Sequence, residues 1–198
     1  MDAFTFIHQN ESDSATEKYI RGVEEFNLGC DHIVGLIEDA FLLFKKRSFS
    51  TSLFLSITII EETAKTNFGM FYSGQSSQKS PKRNIFLKHK SKHLLATLPT
   101  VLMGDRLKKA VDENILNDFF ERLNAGDVVA LREKSLYCDR EDGEYKSPRK
   151  LIAESDARNF LLLAIEIFDD ALVGFSEHSF LLSKKTDQIF QKLADGEL

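Results

Sequence analysis

Residues that break or cross-link a chain are scarce here: among 198 residues there are three prolines, two cysteines and no tryptophan. Cys30 and Cys138 lie far apart and match neither a zinc nor a redox spacing, so a disulfide framework is excluded and both read as reduced thiols. Long apolar runs are missing too. The stretch 41–44 stops at Lys45 and the 53–60 region stops at Glu61-Glu62, well below the roughly 20 residues that span a bilayer. The first ten residues lack the basic and long apolar regions of a secretory signal. The expectation is a soluble, cytoplasmic protein with no membrane contact. Also missing are a Gly-rich phosphate loop, a Ser-His-Asp arrangement of recognisable context and zinc-finger spacing.

Positive charge is in deficit overall, with a formal net charge of −5. That excludes a protein that coats nucleic acid with its whole surface. Hydrophobic residues make up 42% and charged residues 29%, proportions of an ordinary globular chain with one Phe-rich core.

Alternating apolar and polar runs of strand type are few, so the pattern predicts an all-α fold with long antiparallel helices. Residues 1–13 read as an N-terminal tail and 14–198 as a single helical domain. A first helix is expected over about 14–44, its stripe marked by Phe26, Ile33, Ile37, Ala40, Phe41 and Phe44. Ser48 or Ser50 caps a second helix with the stripe Leu53, Ile57, Ile60, Ala64, Phe68 and Phe71. The Gly- and Ser-rich run 72–80 reads as a loop, followed by a third helix from about Pro81 to Leu98. Further helices are expected over 105–120 and 127–135, and a polar loop over 137–146. Ser147-Pro148 supplies the start of a long helix burying Ala157, Phe160, Leu161, Ala164, Phe168, Ala171 and Phe175, and a last helix covers 176–193.

The charge is segregated. Residues 1–44 carry nine acidic and two basic side chains, whereas the 42 residues between Glu62 and Asp105 contain no carboxylate and seven cations: Lys65, Lys79, Lys82, Arg83, Lys88, Lys90 and Lys92. Such a patch suits contact with phosphates. It equally suits pairing with the acidic first helix, within one chain or between two subunits.

Inside the patch stand Arg83, Asn84 and, six residues after the arginine, His89. On a helix this spacing leaves Arg and His about two-thirds of a turn apart, so they converge on one point only across a dimer axis or at a frayed helix start. A histidine near neutral pKa can serve as general base on a ribose 2′-hydroxyl, and a fixed guanidinium can stabilise the developing phosphorane charge, without a metal. A solvated Arg and His on an exposed face is the plain alternative. His89 and His93 have a metal-compatible spacing, but no carboxylate or thiol lies nearby and the positive surroundings oppose a cation, so no metal or other cofactor is expected. On the second helix, Glu61 and Lys65 form a favourable four-apart pair. Glu61 also borders the buried stripe, where a carboxylate meeting Arg83, His89 or Lys92 would orient a histidine and raise its pKa.

Three separated elements resemble the AbiV family of abortive infection proteins. The run 50–65, ending Glu61-Glu62-Thr63-Ala64-Lys65, is similar to that family's Glu-Glu-x-Gly-Lys helix, with Ala64 where the family has Gly. His89-Lys90-Ser91-Lys92 resembles its His-x-x-Lys element, and Leu131-Arg132 through Leu136-Tyr137-Cys138-Asp139, with Ser147-Pro148 downstream, resembles its Leu-Arg-x-x-x-Leu-Tyr-x-Asp segment. The family is similar to the HEPN superfamily, many of whose members are metal-independent ribonucleases that assemble an Arg/His site across a dimer. The resemblance implies a HEPN-like bundle, a homodimer and RNA as partner. It implies Arg83, Asn84 and His89 as catalytic residues; beside them the residues themselves make Glu62 or Glu61 with Lys65 a supporting pair, Lys92 a supporting phosphate contact, and Lys79, Lys82, Lys88 and Lys90 of the basic patch RNA contacts. Some members of that superfamily act only by binding, so a non-catalytic protein that stops phage growth through a phage or host partner is the alternative.

Overall fold

A computed structural model of the chain describes residues 20–71 and 105–197. The expected N-terminal tail and the helix expected over 81–98 lie outside the described residues. Within them the fold is all-α, with eight helices and a single two-stranded ribbon.

Helix α1 (Val23–Lys45) buries Phe26, Cys30, Ile33, Val34, Ile37, Ala40 and Phe44, the three-and-four spacing of the sequence stripe. It ends in a Schellman motif: the N–H groups of Arg47 and Ser48 donate to the carbonyls of Phe44 and Leu43. Arg47 takes the left-handed conformation at φ 58°, a position glycine occupies in most such caps. Helix α2 (Phe49–Phe71) then returns along α1. At Gly29 the two helices pack tightly: a Cβ there would stand 3.2 Å from Thr66 Cγ2.

One stripe of α2 was expected to be buried, but far more of it is. Ser50, Ser52, Ser56, Ile59, Glu61, Thr63 and Thr66 are buried as well. Two of the hydroxyl side chains satisfy themselves on backbone carbonyls, Ser52 donating to Ala40 across the helix pair and Ser56 donating to Ser52, whereas the buried Thr63 hydroxyl makes no hydrogen bond among the described residues.

Residues 105–120 form two helices where one was expected. Helix α3 (Asp105–Ala110) stops, and Asp112 caps α4 (Glu113–Ala125) by accepting from the Asn114 N–H at 2.8 Å. Helix α5 (Val128–Leu136) follows. The expected loop is a hairpin: β1 (Asp139–Glu141) pairs antiparallel with β2 (Glu144–Lys146), in the register Asp139 with Lys146, Arg140 with Tyr145 and Glu141 with Glu144. Asp142 and Gly143 are both left-handed, as a two-residue hairpin turn requires.

Ser147-Pro148 begins only a four-residue helix, α6 (Pro148–Leu151), without a side-chain cap bond. The long helix is α7 (Glu154–Leu172), buried on almost every side, including Asn159 and Glu166. Phe175 lies beyond it and is exposed, although its ring edge meets Phe26. Helix α8 (Glu177–Asp195) starts with a reciprocal capping box between Ser176 and Ser179.

Helices α2 and α7 pack on each other at the centre, α1 and α8 cover one side, and α5 with α6 lies against α2. Described carboxylates of α1 pair with α8, His178 meeting Asp31 at 2.7 Å and Lys185 meeting Glu38 at 3.6 Å. Arg158 on α7 donates to the Leu193 and Ala194 carbonyls at the end of α8 and reaches the Ala110 carbonyl at the end of α3. Both Cys30, in the core, and Cys138, on the surface, are free thiols. No described helix is long and apolar enough to cross a membrane.

Candidate functional site

Two of the three sequence elements meet in space. Glu61 stands in the middle of α2, only 3% exposed, and Oε1 lies 3.7 Å from Arg132 Nε on α5. That is an ion-pair distance too long for a hydrogen bond. The Arg132 guanidinium also lies over the Phe54 ring, 4.7 Å from its centroid. Phe54 is seven residues before Glu61 on the same helix face, so α2 supplies both a charge partner and a stacking surface for one arginine. A buried carboxylate needs such a partner, because an ion in a low-dielectric interior loses several kcal/mol of hydration.

Lys65 takes one of its two expected partners. It bonds Glu62, three residues back, on the partly exposed side of α2, while Glu61 turns inward to Arg132. The chain resolves the competition by burial: Arg, with its planar and weakly hydrated head, takes the buried carboxylate, and Lys stays near solvent. Arg83, Asn84 and His89, with Lys79, Lys82, Lys88, Lys90 and Lys92, lie outside the described residues. Of the expected site residues, Glu61, Glu62 and Lys65 are therefore described, all on one turn and a half of α2.

A second charged cluster escaped the sequence reading. Arg106 of α3 bonds Glu166 of α7 and Asp187 of α8, approaches Asp169 Oδ2 at 3.1 Å and lies 4.5 Å over the Phe190 ring. Burial pushes Glu166 up to about 7, Arg106 opposes that by hydrogen bond and charge, and Asp170 and Asp169 reinforce it. Burial raises Asp169 and Asp170 as well. Arg106 itself is raised by its carboxylate partners against the opposing effect of burial. The only hint in the sequence is Glu166 at an apolar-stripe position of α7. Among the described residues no group of three or more His, Cys, Asp or Glu side chains could hold a metal ion.

Neither the characterised proteins nor the solved structures contain a match to this chain. The family model for AbiV, of HEPN type, matches residues 27–169. That span runs from α1 to the end of α7 and includes the Glu61–Arg132 contact, so it covers more than two thirds of the chain. The match, the all-α bundle and the meeting of two signature elements lead to one conclusion: the chain belongs to the AbiV family of HEPN-like abortive-infection proteins, which gives it a role in phage defence.

Proposed function

We propose that this protein is a metal-independent endoribonuclease that acts as a cytoplasmic homodimer. His89 is the general base that removes the proton from a ribose 2′-hydroxyl. The 2′-oxygen attacks phosphorus, the bond from phosphorus to the 5′-oxygen breaks, and the products are a 2′,3′-cyclic phosphate and a 5′-hydroxyl that takes up a proton. Arg83 binds the phosphate and the charge that develops on it. Asn84 orients the group, and Lys92 makes a further phosphate contact. Lys79, Lys82, Lys88 and Lys90 bind the strand electrostatically.

The observation that carries this reading is the Glu61–Arg132 pair. It ties the Glu-Glu helix of the family signature to its Leu-Arg segment, on the helix that leads directly into the carboxylate-free stretch containing Arg83, Asn84 and His89. Glu61, with Glu62 and Lys65 one turn on, is the support of the site rather than its chemistry.

The test is cleavage of structured and unstructured RNA by purified protein with EDTA present. Wild type should give cyclic-phosphate ends, and His89→Ala should lose on the order of 100-fold or more in rate. Identical behaviour of the two proteins overturns the assignment of His89. Protection from phage that survives both Arg83→Ala and His89→Ala identifies a binding protein instead. Sedimentation equilibrium tests the dimer.

A further inference from the structure

Helices α1 and α8 cover one side of the bundle, and their outer face carries apolar side chains that the described residues leave open. On α1, Leu28, His32, Gly35, Asp39 and Leu42 recur four and three apart, which lines them up on one outward stripe. Leu28 is 68% and Leu42 50% exposed, and nothing stands within 4 Å of where a Gly35 Cβ would be. Leu181 of α8 is 51% exposed. It lies three residues after His178 and four before Lys185, both of which reach α1, so it shares their side of α8. The pairs Asp31–His178 and Glu38–Lys185 span the same 147 residues. The two helices therefore run parallel and in step, and Leu181 stands level with Val34 and Gly35. It fills the middle of a patch about 21 Å long, the rise from Leu28 to Leu42. Single exposed leucines are ordinary, but three on one face of two adjoining helices form a surface of the kind that proteins bury against a partner.

The charges select the partner. Between Leu28 and Leu42 the carboxylates of α1 are Asp31, Glu38 and Asp39. Asp31 and Glu38 are taken up by His178 and Lys185, and the exposed side chains of His32 and Asp39 have no ion-pair partner among the described residues. One imidazole and one carboxylate give a cationic or an anionic strand little to hold. They are instead complementary to themselves. Both lie equally far from a midpoint between Gly35 and Leu36, and so do Leu28 and Leu43. A two-fold axis at that midpoint turns a second α1 antiparallel to the first. It brings His32 of each copy to Asp39 of the other, and Leu28 of each to the Leu42-Leu43 turn of the other. An isologous interface has this property, residue i meeting j while j meets i. The axis runs close to the level of Leu181, so the two copies of that leucine close the patch beside it.

We propose that the face formed by α1 and α8 is a homodimer interface, in which two α1 helices pair antiparallel about Gly35 and Leu36 and His32 of each copy meets Asp39 of the other. This rests on the reading of the protein as a homodimer and names the surface that forms it.

The test is sedimentation equilibrium of the full chain, with thermal melts of the same samples. Wild type should be a dimer. His32→Asp sets carboxylate against carboxylate twice, once on each side of the axis, and should weaken the dimer at least tenfold. His32→Asp combined with Asp39→His restores opposite charges and should recover most of that loss, which a merely local effect of either substitution would not do. Leu181→Lys places two ammonium groups together near the axis and should give monomers. A wild-type dimer that ignores His32→Asp and Leu181→Lys removes this surface and leaves the homodimer reading standing, whereas a monomeric wild type removes both. A lower melting temperature in Leu181→Lys with association unchanged shows that the chain's own residues cover the face, and also overturns the proposal.

Discussion

Arg106 and Glu166, sixty residues apart in sequence, form an ion pair in which the carboxylate is 2% exposed and the guanidinium 30%. The same guanidinium reaches Asp169 on α7 and Asp187 on α8, so one cation holds a six-residue helix against two long ones. Arg106→Ala should lower unfolding free energy by roughly 3 kcal/mol, because it strands a buried carboxylate. Urea denaturation measures this. Arg106→Ala combined with Glu166→Gln should regain part of the loss, and a double variant as unstable as the single one would show that the buried charge is not the cause.

The same pair sets a pH dependence. Glu166 is pushed from its ordinary 4.5 to about 7 by burial, against the pull of Arg106. The folded chain therefore holds this proton more tightly than the unfolded chain. Its stabilisation is complete below about 4.5 and is lost as pH rises towards about 7. Asp169 and Asp170, also raised, act in the same sense. Unfolding free energies measured from pH 5 to 8 should fall more steeply for wild type than for Glu166→Gln. Parallel profiles would contradict the assignment.

Arg132→Ala removes the cation 3.7 Å from a carboxylate that is 3% exposed, together with the stacking on Phe54. The expected loss is about 2–3 kcal/mol. Arg132→Lys should recover little of it, because an ammonium carries the charge but not the planar surface that lies on the ring. Thermal melts of the three proteins decide, and full recovery by lysine would mean that charge alone matters at this position.

Two glycines of α1 separate helix propensity from close packing. Gly35 has open space where a Cβ would go, whereas at Gly29 the Cβ would meet Thr66 at 3.2–3.3 Å. Gly35→Ala should stabilise by about 0.5–1 kcal/mol through backbone entropy. Gly29→Ala should gain nothing or lose stability, because Thr66 is buried and β-branched and has little room to shift. Equal gains at both positions would show that α1 and α2 can separate at no cost.

Periodicity made α1, α2, α7 and α8 legible, since each repeats apolar residues for several turns. It failed where a single polar residue decides. Asp112 divides 105–125 into two helices by capping the second, and nothing in the apolar pattern marks that break. Ser147-Pro148 carries a strong start signal, yet Ile152 and Ala153 are extended and restart the helix at Glu154. The segment 137–146 was visible as a polar loop, but two three-residue strands are too short to announce themselves by alternation. At the site, Glu61 was singled out because it borders a stripe. Arg132 was visible only as part of a motif, since a contact between helices 71 residues apart in sequence leaves no local trace. The Arg106 cluster was hidden for the same reason, its four members being spread over three helices.

Arg158 bonds carbonyls at the ends of both α3 and α8. A helix terminus normally frays on its own, one turn at a time. Here a single guanidinium serves two termini, so neither can loosen without surrendering bonds that the other shares. The last turns of α3 and α8 should behave as one cooperative opening unit, and hydrogen exchange should release amides 108–111 and 192–195 together rather than in sequence.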